Sequence, residues 1–577
     1  MKIYYKDVDA KNETRFTFAD FKDKVGRIGS AFTRLGFKKG DIVCMYSSNS
    51  PEYALIVLGV LSVGGIITTS NPTYSEVDAK TDTRFTFADV KDKVRRIGSA
   101  LTRLGFKKGE VVCMYSSNSP EYGFIVLGVL SVGGVITTSN PTYTTDELSK
   151  QLQIVRPQYL MAASETAEKA LQAASENGIK NVYVFGNAPG CKTVDDLLRD
   201  DGYAFPNGVN ISTQEVAIIL FSSGTTGLPK GVMLTHRNIV GNLVQMKDFL
   251  SYGRPGVDGF LGFVPFFHVF GLILILFGGL KTRQKVVCMQ KFDFETFLAC
   301  IEKYKIRYLL VVPPIAVMLT KHPLVDKYDL SCVEVIMSGA APLGKDIEQK
   351  LESRLRTCKV VQGYGATEAS PACSLPQSDV RTFRSGSVGL LVASTECKVL
   401  DPQSGEELGP NQDGELCFRG CQIFKGYLNN PEATDAAIDE EGWFHSGDIG
   451  HYDEDQNIYV IDRIKEFIKY KGFQLAPAEL EGLLLSHPAV ADAAVVGRPD
   501  EDAGELPMAF IVLKPGQRAT ETEIANFLAA KAAPIKRLRG GVEIVEEIPK
   551  TASGKILRRV LREELRKRAL RVKKAKL

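Results

Sequence analysis

Ser222-Ser-Gly-Thr-Thr-Gly-Leu-Pro-Lys-Gly231 is the most informative stretch of this sequence, and it directly follows the apolar run Val216–Phe221. Such a run favours a buried strand. Glycines allow backbone N–H groups to close around an anion, while hydroxyl groups and a lysine add donors and charge suited to phosphate. The spacing differs from the Walker A loop. We therefore predict a different phosphate-binding loop, formed by Ser222, Ser223, Gly224, Thr225, Thr226 and Lys230.

An internal duplication precedes this loop. Val8–Tyr74 and Val77–Tyr143 are near-copies, and the unit does not recur further along the chain. Two copies are too few for a solenoid, which needs about three or more stacked units. Each copy predicts a helix and then a strand, at Phe18–Leu35 and Asp41–Tyr46 in the first copy and at Phe87–Leu104 and Glu110–Tyr115 in the second. This alternation is typical of a layered α/β fold.

Length and composition limit the class of protein. The chain has 577 residues, of which 44% are hydrophobic and 24% charged. A single core stops growing at about 250–300 residues, so we expect at least two domains. The formal net charge of +3 is too small to indicate a nucleic-acid partner. The cysteines and histidines show no spacing typical of zinc ligands.

One apolar segment is long enough to cross a bilayer. Phe260–Leu280 contains no formal charge and only one histidine, His268. A span needs about 20 apolar residues. However, Pro265 and four glycines interrupt the run, which favours several short buried elements. We predict no membrane span.

Six further motifs follow in order along the chain, and with the phosphate loop they carry a family resemblance. They are Gly339-Ala-Ala-Pro342, Gln362-Gly-Tyr-Gly-Ala-Thr-Glu368, Gly414-Glu-Leu-Cys-Phe-Arg-Gly420, Trp443-Phe-His-Ser-Gly-Asp448, Asp462-Arg-Ile-Lys-Glu-Phe-Ile-Lys-Tyr-Lys-Gly472 and Pro549-Lys-Thr-Ala-Ser-Gly-Lys555. From about Phe85 to Arg559 the chain resembles the adenylate-forming superfamily of acyl-CoA synthetases, 4-coumarate–CoA ligases and beetle luciferases. It is most similar to 4-coumarate–CoA ligase-like proteins.

The resemblance implies a domain organisation and a reaction. We expect a large layered α/β domain with a small β-barrel portion over residues 77–462, which binds ATP and the acyl group. A smaller, mobile α+β domain is expected over residues 463–577, and residues 1–76 are expected to be a surplus duplicated segment. In this family a carboxylate reacts with ATP to give an acyl-adenylate and pyrophosphate, and coenzyme A then takes the acyl group.

Residues of the first step are carried over where the motifs match. Glu368 resembles the residue that holds Mg²⁺ on the ATP phosphates, and a carboxylate suits that hard cation. Lys555 resembles the lysine that reaches the acyl carboxylate and the α-phosphate. The remaining predicted ATP contacts are Gln362, Gly363, Thr367, Asp448 and Arg463, of which Asp448 and Arg463 match ribose contacts.

The second step involves another set of residues. In the family the small domain swings about a hinge, which Lys465 matches here, and presents another face to the acyl-adenylate. Lys469 and Gln474 match adenylate-contacting residues, and Lys469 is the third predicted catalytic residue beside Lys555 and Glu368. Predicted coenzyme A contacts are Lys291, Lys471 and Gly472. The predicted acyl or acyl-adenylate contacts are His268, Phe270, Ala340, Gln362, Gly363, Thr367, Lys465, Lys469 and Gln474.

Several questions stay open at the level of sequence. The acid is a hydroxycinnamate or a medium- or long-chain fatty acid, since apolar pocket walls suit both. A luciferase-like oxygenase on the same fold is one alternative function. A catalytically inactive binding module with a basic tail is another, although it predicts the loss of Lys230, Glu368, Asp448 or Lys555, all of which are present.

The last three residues, Ala575-Lys576-Leu577, resemble the peroxisomal address Ser-Lys-Leu. Such signals are read by an import receptor and do not anchor a protein. We therefore expect a peroxisomal location, with the cytoplasm as the alternative.

Overall fold

The computed structural model describes residues 18–34, 42–46, 66–70, 74–189, 191–222, 230–251, 253–377, 379–471, 473–500, 503–551 and 554–576. The chain divides into two units. One consists of Met1–Ser75 with Phe85–Ala88, and the other of Glu76–Arg84 with Asp89–Leu577.

The described residues of the first unit repeat a local structure of the second. The helix Phe18–Arg34 is followed by two parallel strands, Ile42–Tyr46 and Ile66–Ser70, in which Ile42 lies opposite Ile66. In the second copy Val111 lies opposite Val135 in the same parallel register. The duplicated sequence therefore forms the same pair of strands in both places, because the pattern of apolar side chains that sets the register is itself repeated.

The largest sheet of the second unit has eight strands. In spatial order they are Gly426–Tyr427, Lys230–Thr235, Val216–Ser222, Val135–Thr138, Val111–Tyr115, Tyr159–Ala163, Asn181–Phe185 and Lys192–Thr193. The central strands are parallel and almost wholly buried, as expected for a sheet covered on both faces. Val216–Ser222 runs antiparallel to Lys230–Thr235, and Ser222 lies opposite Lys230.

Helices alternate with these strands, and capping residues set several of their starts. Ser119 accepts a hydrogen bond from Tyr122 N at 3.2 Å, and Thr144 forms a capping box with Glu147. The α-helices of the second unit, including the one that begins at its boundary, are Phe87–Arg103, Pro120–Ser131, Thr145–Val155, Ala167–Glu176, Val194–Leu198, His236–Gln245, Lys247–Leu250, Gly278–Thr282, Phe294–Tyr304, Pro313–Lys321, Lys345–Leu355, Pro431–Asp435, Pro477–Leu485, Glu521–Lys531 and Arg558–Lys576. Short 3₁₀ segments lie at Ser164–Thr166, Pro323–Lys327, Thr367–Ala369, Val380–Thr382, Ile464–Glu466 and Pro534–Lys536.

Two smaller parallel sheets complete the α/β part. Gly259–Gly262 pairs with Lys285–Cys288, which in turn pairs with Tyr74–Asp78 through Glu76, Val77 and Asp78. The other sheet consists of Tyr308–Val311, Val335–Ser338 and Lys359–Gln362. Arg84–Thr86 is a short strand ahead of the first helix of the second copy. Val77 is buried, and the ladder with Lys285–Cys288 begins one residue before it, at Glu76.

Antiparallel strands follow where the sequence predicts a small barrel. A four-stranded sheet contains Thr395–Leu400, Gly414–Gly420, Phe444–Tyr452 and Ile458–Arg463, and a three-stranded sheet contains Tyr364–Gly365, Ala372–Leu375 and Leu390–Leu391. The chain after Arg463, called the C-terminal part below, forms its own core. Its sheet consists of Phe473–Leu475, Ile468–Tyr470, Gly504–Leu513, Val490–Asp500 and Gly541–Ile544. The mixed α/β class expected from the sequence is confirmed.

The long apolar segment is broken into several elements. It begins in the strand Gly259–Gly262, continues in a π-helix at Phe270–Phe277 and ends in the helix Gly278–Thr282. All eight residues of the π-helix are buried. Among the described residues no helix has the length and apolar character needed to cross a membrane.

Candidate active site

A cavity of about 1000 Å³ lies between the eight-stranded sheet, the antiparallel strands and the C-terminal part. Most of the predicted site residues that the structure describes contribute to its wall. Those that line it are Ser222, Lys230, His268, Phe270, Ala340, Gly363, Thr367, Glu368, Arg463, Lys465 and Lys555. These residues come from distant parts of the sequence. The structure therefore brings the phosphate-loop, Gln362–Glu368 and Pro549–Lys555 motifs to a single site.

Lys230 and Glu368 are connected through one tyrosine. The Tyr427 hydroxyl donates a hydrogen bond of 2.9 Å to Glu368 Oε1, and Lys230 Nζ lies 4.8 Å from the centre of the Tyr427 ring. Burial, and then the charge of Glu368, raise the pKa of Tyr427 well above its ordinary value. The phenol therefore stays protonated and acts as a donor to the carboxylate. The face of the Tyr427 ring also lies next to the Lys230 ammonium, which is a cation–π contact.

Asp448 and Arg463 form an ion pair across two neighbouring strands. Arg463 Nε lies 3.1 Å from Asp448 Oδ1, and Tyr364 donates a 2.6 Å hydrogen bond to the other carboxylate oxygen. Arg463 lines the cavity, whereas Asp448 is only 6% exposed and lies behind it. Burial disfavours the charged form of Arg463, but Asp448 and the weaker effects of Tyr364, Glu368 and Glu466 together outweigh it and raise the arginine pKa.

Lys555 reaches the cavity from a tight turn. Gly554 adopts a positive φ of 79°, and the Thr551 hydroxyl accepts a hydrogen bond from Lys555 N at 3.1 Å. Burial, and then the positive charge of Arg463, lower the pKa of Lys555 to about 8, while Asp448 opposes this shift. Among the described residues the buried Lys555 ammonium forms no ion pair with a carboxylate, so this part of the cavity favours an anion.

His268 lies near Lys555 in the cavity wall. Burial, and then the Lys555 charge, lower the pKa of His268 to about 4. The imidazole is therefore neutral at physiological pH. Its Nδ1 accepts a hydrogen bond from Phe270 N at 3.3 Å, which assigns the proton to Nε2. The sequence suggested only a lining role, whereas the structure provides a neutral N–H donor.

Other predicted residues lie away from the cavity wall. Lys469 and Gln474 are exposed and lie opposite each other in the hairpin of Ile468–Tyr470 and Phe473–Leu475, and Lys471 and Lys291 are also exposed. Ser223, Gly224, Thr225, Thr226 and Gly472 lie outside the described residues. The predicted contacts of these residues with coenzyme A and acyl-adenylate stay predictions.

The side chain of Gln362 departs from its predicted role as an ATP and acyl contact. It is 4% exposed and does not line the cavity. Its amide oxygen accepts from Leu343 N at 2.9 Å, and its amide nitrogen donates to Leu343 O and to Glu348 Oε1. A buried amide must satisfy both its donor and its acceptor. Here the backbone and a buried carboxylate satisfy them.

A polar network that sequence reasoning missed supports the Asp448 turn. Glu415 Oε2 lies 3.0 Å from His445 Nδ1, and Glu415 Oε1 accepts from Gly447 N at 3.0 Å. Cys417 joins these two side chains in a group whose polar atoms lie within 4.8 Å of one another. Burial, and then the Glu415 charge, raise the pKa of the Cys417 thiol. The geometry therefore supports a turn-positioning role.

Two family models match this chain. A family model described as AMP-binding enzyme matches residues 2–81 and 77–428, and a model described as AMP-binding enzyme C-terminal domain matches residues 479–555. The first model therefore matches the two copies of the duplication separately.

Similar curated proteins are named as CoA ligases. A 4-coumarate–CoA ligase of Vanilla planifolia is 42% identical over 504 residues, which cover 86% of this chain and 91% of that protein. 4-Coumarate–CoA ligase 1 of Petroselinum crispum is 42% identical over 494 residues, covering 84% and 90%.

Solved structures show the same fold. ATP-bound MatB from Rhodopseudomonas palustris superposes with a TM-score of 0.78 at 25% identity, covering 85% of this chain and 96% of that one. The anthranilate CoA ligase AuaEII in complex with anthranoyl-AMP gives a TM-score of 0.77 at 24% identity, covering 85% and 94%.

Proposed function

Because the chain belongs to the AMP-binding enzyme family, we propose that it joins a hydroxycinnamate, such as 4-coumarate, to coenzyme A. The chain is an AMP-forming acid–thiol ligase that uses ATP. In the first half-reaction a carboxylate oxygen attacks the α-phosphorus and pyrophosphate leaves. In the second half-reaction the thiol of coenzyme A attacks the acyl carbon and AMP leaves.

The observation that carries the proposal is the convergence of Lys555, Lys230 and Arg463 on one cavity. Three cations from separate motifs suit a ligand with several phosphates. Lys555 lines this cavity and would contact both the acyl carboxylate and the α-phosphate. Because a preorganised cation costs no reorganisation during reaction, it stabilises the negative charge that develops as pyrophosphate leaves.

The nucleotide is proposed to bind along the remaining polar wall. Lys230 would contact the outer phosphates, and the backbone at Gly363 and the hydroxyl of Thr367 would contact the adenylate, since both residues line the cavity. Arg463 would contact the ribose directly. Asp448 lies behind the wall, so we propose that it reaches the ribose only after its Tyr364 or Arg463 contact rearranges.

Glu368 is the proposed ligand for Mg²⁺. The carboxylate lines the cavity, and within the described residues its hydrogen bond from Tyr427 engages Oε1, so Oε2 can face a metal. Carboxylate oxygens suit this hard cation. When bound, Mg²⁺ would neutralise charge on the ATP phosphates. The hydrogen bond from Tyr427 orients Glu368 with or without Mg²⁺.

An aromatic acid fits the apolar end of the cavity. Phe267, Phe270, Leu274, Met337 and Leu375 line this end. Gly339 faces the Phe270 ring, because a Cβ at position 339 would lie 3.6 Å from Phe270 Cε1. A planar acyl group is proposed to pack beside Phe270, where residue 339 carries no side chain. The neutral Nε2–H of His268 is proposed to donate to the acyl carboxylate.

A panel of acids tests the proposal. Thioester formation would be measured with ATP, Mg²⁺ and coenzyme A for 4-coumarate, ferulate, cinnamate, octanoate and palmitate. We expect a kcat/KM for 4-coumarate at least about tenfold above that for either fatty acid, the discrimination that a shaped apolar pocket provides. Faster ligation of octanoate or palmitate would assign the site to fatty acids. An aromatic preference with no hydroxycinnamate turnover would exclude this substrate class.

The location is a separate proposal. Ala575-Lys576-Leu577 resembles a peroxisomal address, and an import receptor would read it at a free C-terminus. A fluorescent protein that ends in residues 573–577 should therefore enter peroxisomes. Diffuse fluorescence would remove this proposal and leave the ligase function unaffected.

A further inference from the structure

One helix supports the C-terminal part of the protein at two points. At the start of the helix Pro313–Lys321, Pro314 packs against the turn that carries Lys555: a Cβ on Gly554 would lie 3.2 Å from Pro314 Cγ. The turn therefore rests directly on the helix. A larger residue at 554 would be strained as well, because Gly554 has a φ of 79°.

The second contact lies at the other end of the same helix. Lys321 Nζ donates hydrogen bonds of 3.0 Å to Leu485 O and 3.1 Å to Val490 O. Leu485 is the last residue of the helix Pro477–Leu485. The carbonyls of Leu483 and Leu484 accept from Ser486 and His487 within the same chain segment. Lys321 therefore supplies the donor to the last carbonyl of a helix, where a cation is favoured.

Among the described residues, the hydrogen bonds of the Lys321 ammonium go to two carbonyl groups. Burial, and then the positive charges of Lys514 and Lys350, lower the pKa of Lys321 to about 8, while Asp492 opposes this shift. In the described part of the chain Lys321 forms no ion pair with a carboxylate. An ammonium bound by two carbonyls can return to water without leaving a buried negative charge behind. The contact between Lys321 and the two carbonyls can therefore both form and break.

We propose that Lys321 is a positioning residue for the adenylation half-reaction, which it serves by holding the C-terminal part so that Lys555 stays in the cavity. Pro314 and Lys321 are about 10 Å apart along the helix by its rise per residue. Two contacts at that spacing resist a rotation of the C-terminal part relative to this helix, which a single contact would allow. The inference rests on the proposed ligase function and extends that function by assigning a role to Lys321, which lies outside the cavity wall.

The test compares the two half-reactions in matched variants. Lys321→Met removes the donor, and Lys327→Met makes the same change at an exposed lysine nearby. Adenylation would be followed by exchange of labelled pyrophosphate into ATP, and thioester formation would be started from synthetic 4-coumaroyl-AMP. We expect Lys321→Met to lower exchange at least about tenfold, which corresponds to a lost hydrogen bond to a charged group. Its thioester formation and all rates of Lys327→Met should be unchanged.

Two further variants separate positioning from folding. Lys321→Arg keeps a charged donor and should restore most of the exchange. Lys321→Gln keeps one neutral donor and replaces Lys321→Met in the comparison if the methionine variant does not fold by thermal unfolding. Equal losses in both half-reactions, or unchanged exchange, would overturn the inference. If the unaltered enzyme shows no exchange with any acid, the proposed function fails and this inference fails with it.

Discussion

Tyr427 donates a 2.9 Å hydrogen bond to Glu368 Oε1, and the same ring lies beneath Lys230. One side chain therefore orients the proposed metal ligand and the phosphate-binding lysine together. Tyr427→Phe would keep the ring and lose the hydroxyl group. We expect pyrophosphate exchange to fall about 10-fold, because a hydrogen bond to a charged group is lost. Tyr427→Leu should lower exchange further, since the cation–π contact is lost as well.

A rise in the Mg²⁺ concentration needed for half-maximal exchange would show that Tyr427 acts through Glu368. Identical rates and identical Mg²⁺ dependence in Tyr427→Phe and the unaltered enzyme would contradict this assignment.

Removal of the Lys555 side chain should affect mainly the first half-reaction. Lys555→Ala is expected to lower pyrophosphate exchange by about 10²–10³, the usual cost of losing one preorganised contact to developing charge. The exposed Lys567 provides a matched control on the same C-terminal part, and Lys567→Ala should have no effect. An unchanged exchange rate in Lys555→Ala would exclude the catalytic role.

Adenylation should depend on pH through the same lysine. Burial lowers the pKa of Lys555 to about 8, so its ammonium form is present below pH 8 and is lost above it. We expect exchange to fall about tenfold per pH unit above pH 8. Lys555→Arg should be slower but flat in this range, because arginine stays charged. A profile that declines equally in both proteins would assign the titration to another group.

The exposed side chains of Lys469 and Gln474 are predicted to serve the second half-reaction. Lys469 and Gln474 lie opposite each other outside the cavity that contains Lys555. Lys469→Ala should therefore slow thioester formation from a preformed acyl-adenylate more than it slows adenylation. The two rates would be measured separately on one preparation. Equal losses in both would argue against two alternately used faces of the C-terminal part.

The duplicated segment is predicted to be dispensable. Glu76, Val77 and Asp78 pair with the strand Lys285–Cys288, and apart from Phe85–Ala88 the contacts of the chain divide after Ser75. A chain that begins at Ser75 should therefore keep this ladder, ligate its acid at the rate of the full chain and be at least as soluble. Deletion of residues 77–143 should abolish activity, since it removes two strands of the eight-stranded sheet. The reverse pattern would show that the first copy is the functional one.

The elements could be predicted well because their signals are local. The second-copy helix was predicted at Phe87–Leu104 and lies at Phe87–Arg103, and the strand predicted at Glu110–Tyr115 lies at Val111–Tyr115. Apolar periodicity and glycine turns are enough for such assignments. The side-chain direction of Gln362 could not be predicted in this way. It depends on Glu348 and Leu343, which reach it only in the folded chain.

By itself the sequence determined the order of the motifs, the α/β class and the types of side chain available for binding phosphate. These follow from local pattern and from residue chemistry. Only the tertiary structure decided that Lys555 faces His268 and Arg463 in one cavity, that Asp448 lies behind the wall, and that Tyr427 joins Lys230 to Glu368. Burial and the distance between charges set pKa values and hydrogen-bond partners. Both depend on which distant segments pack together, and a linear pattern does not specify that packing.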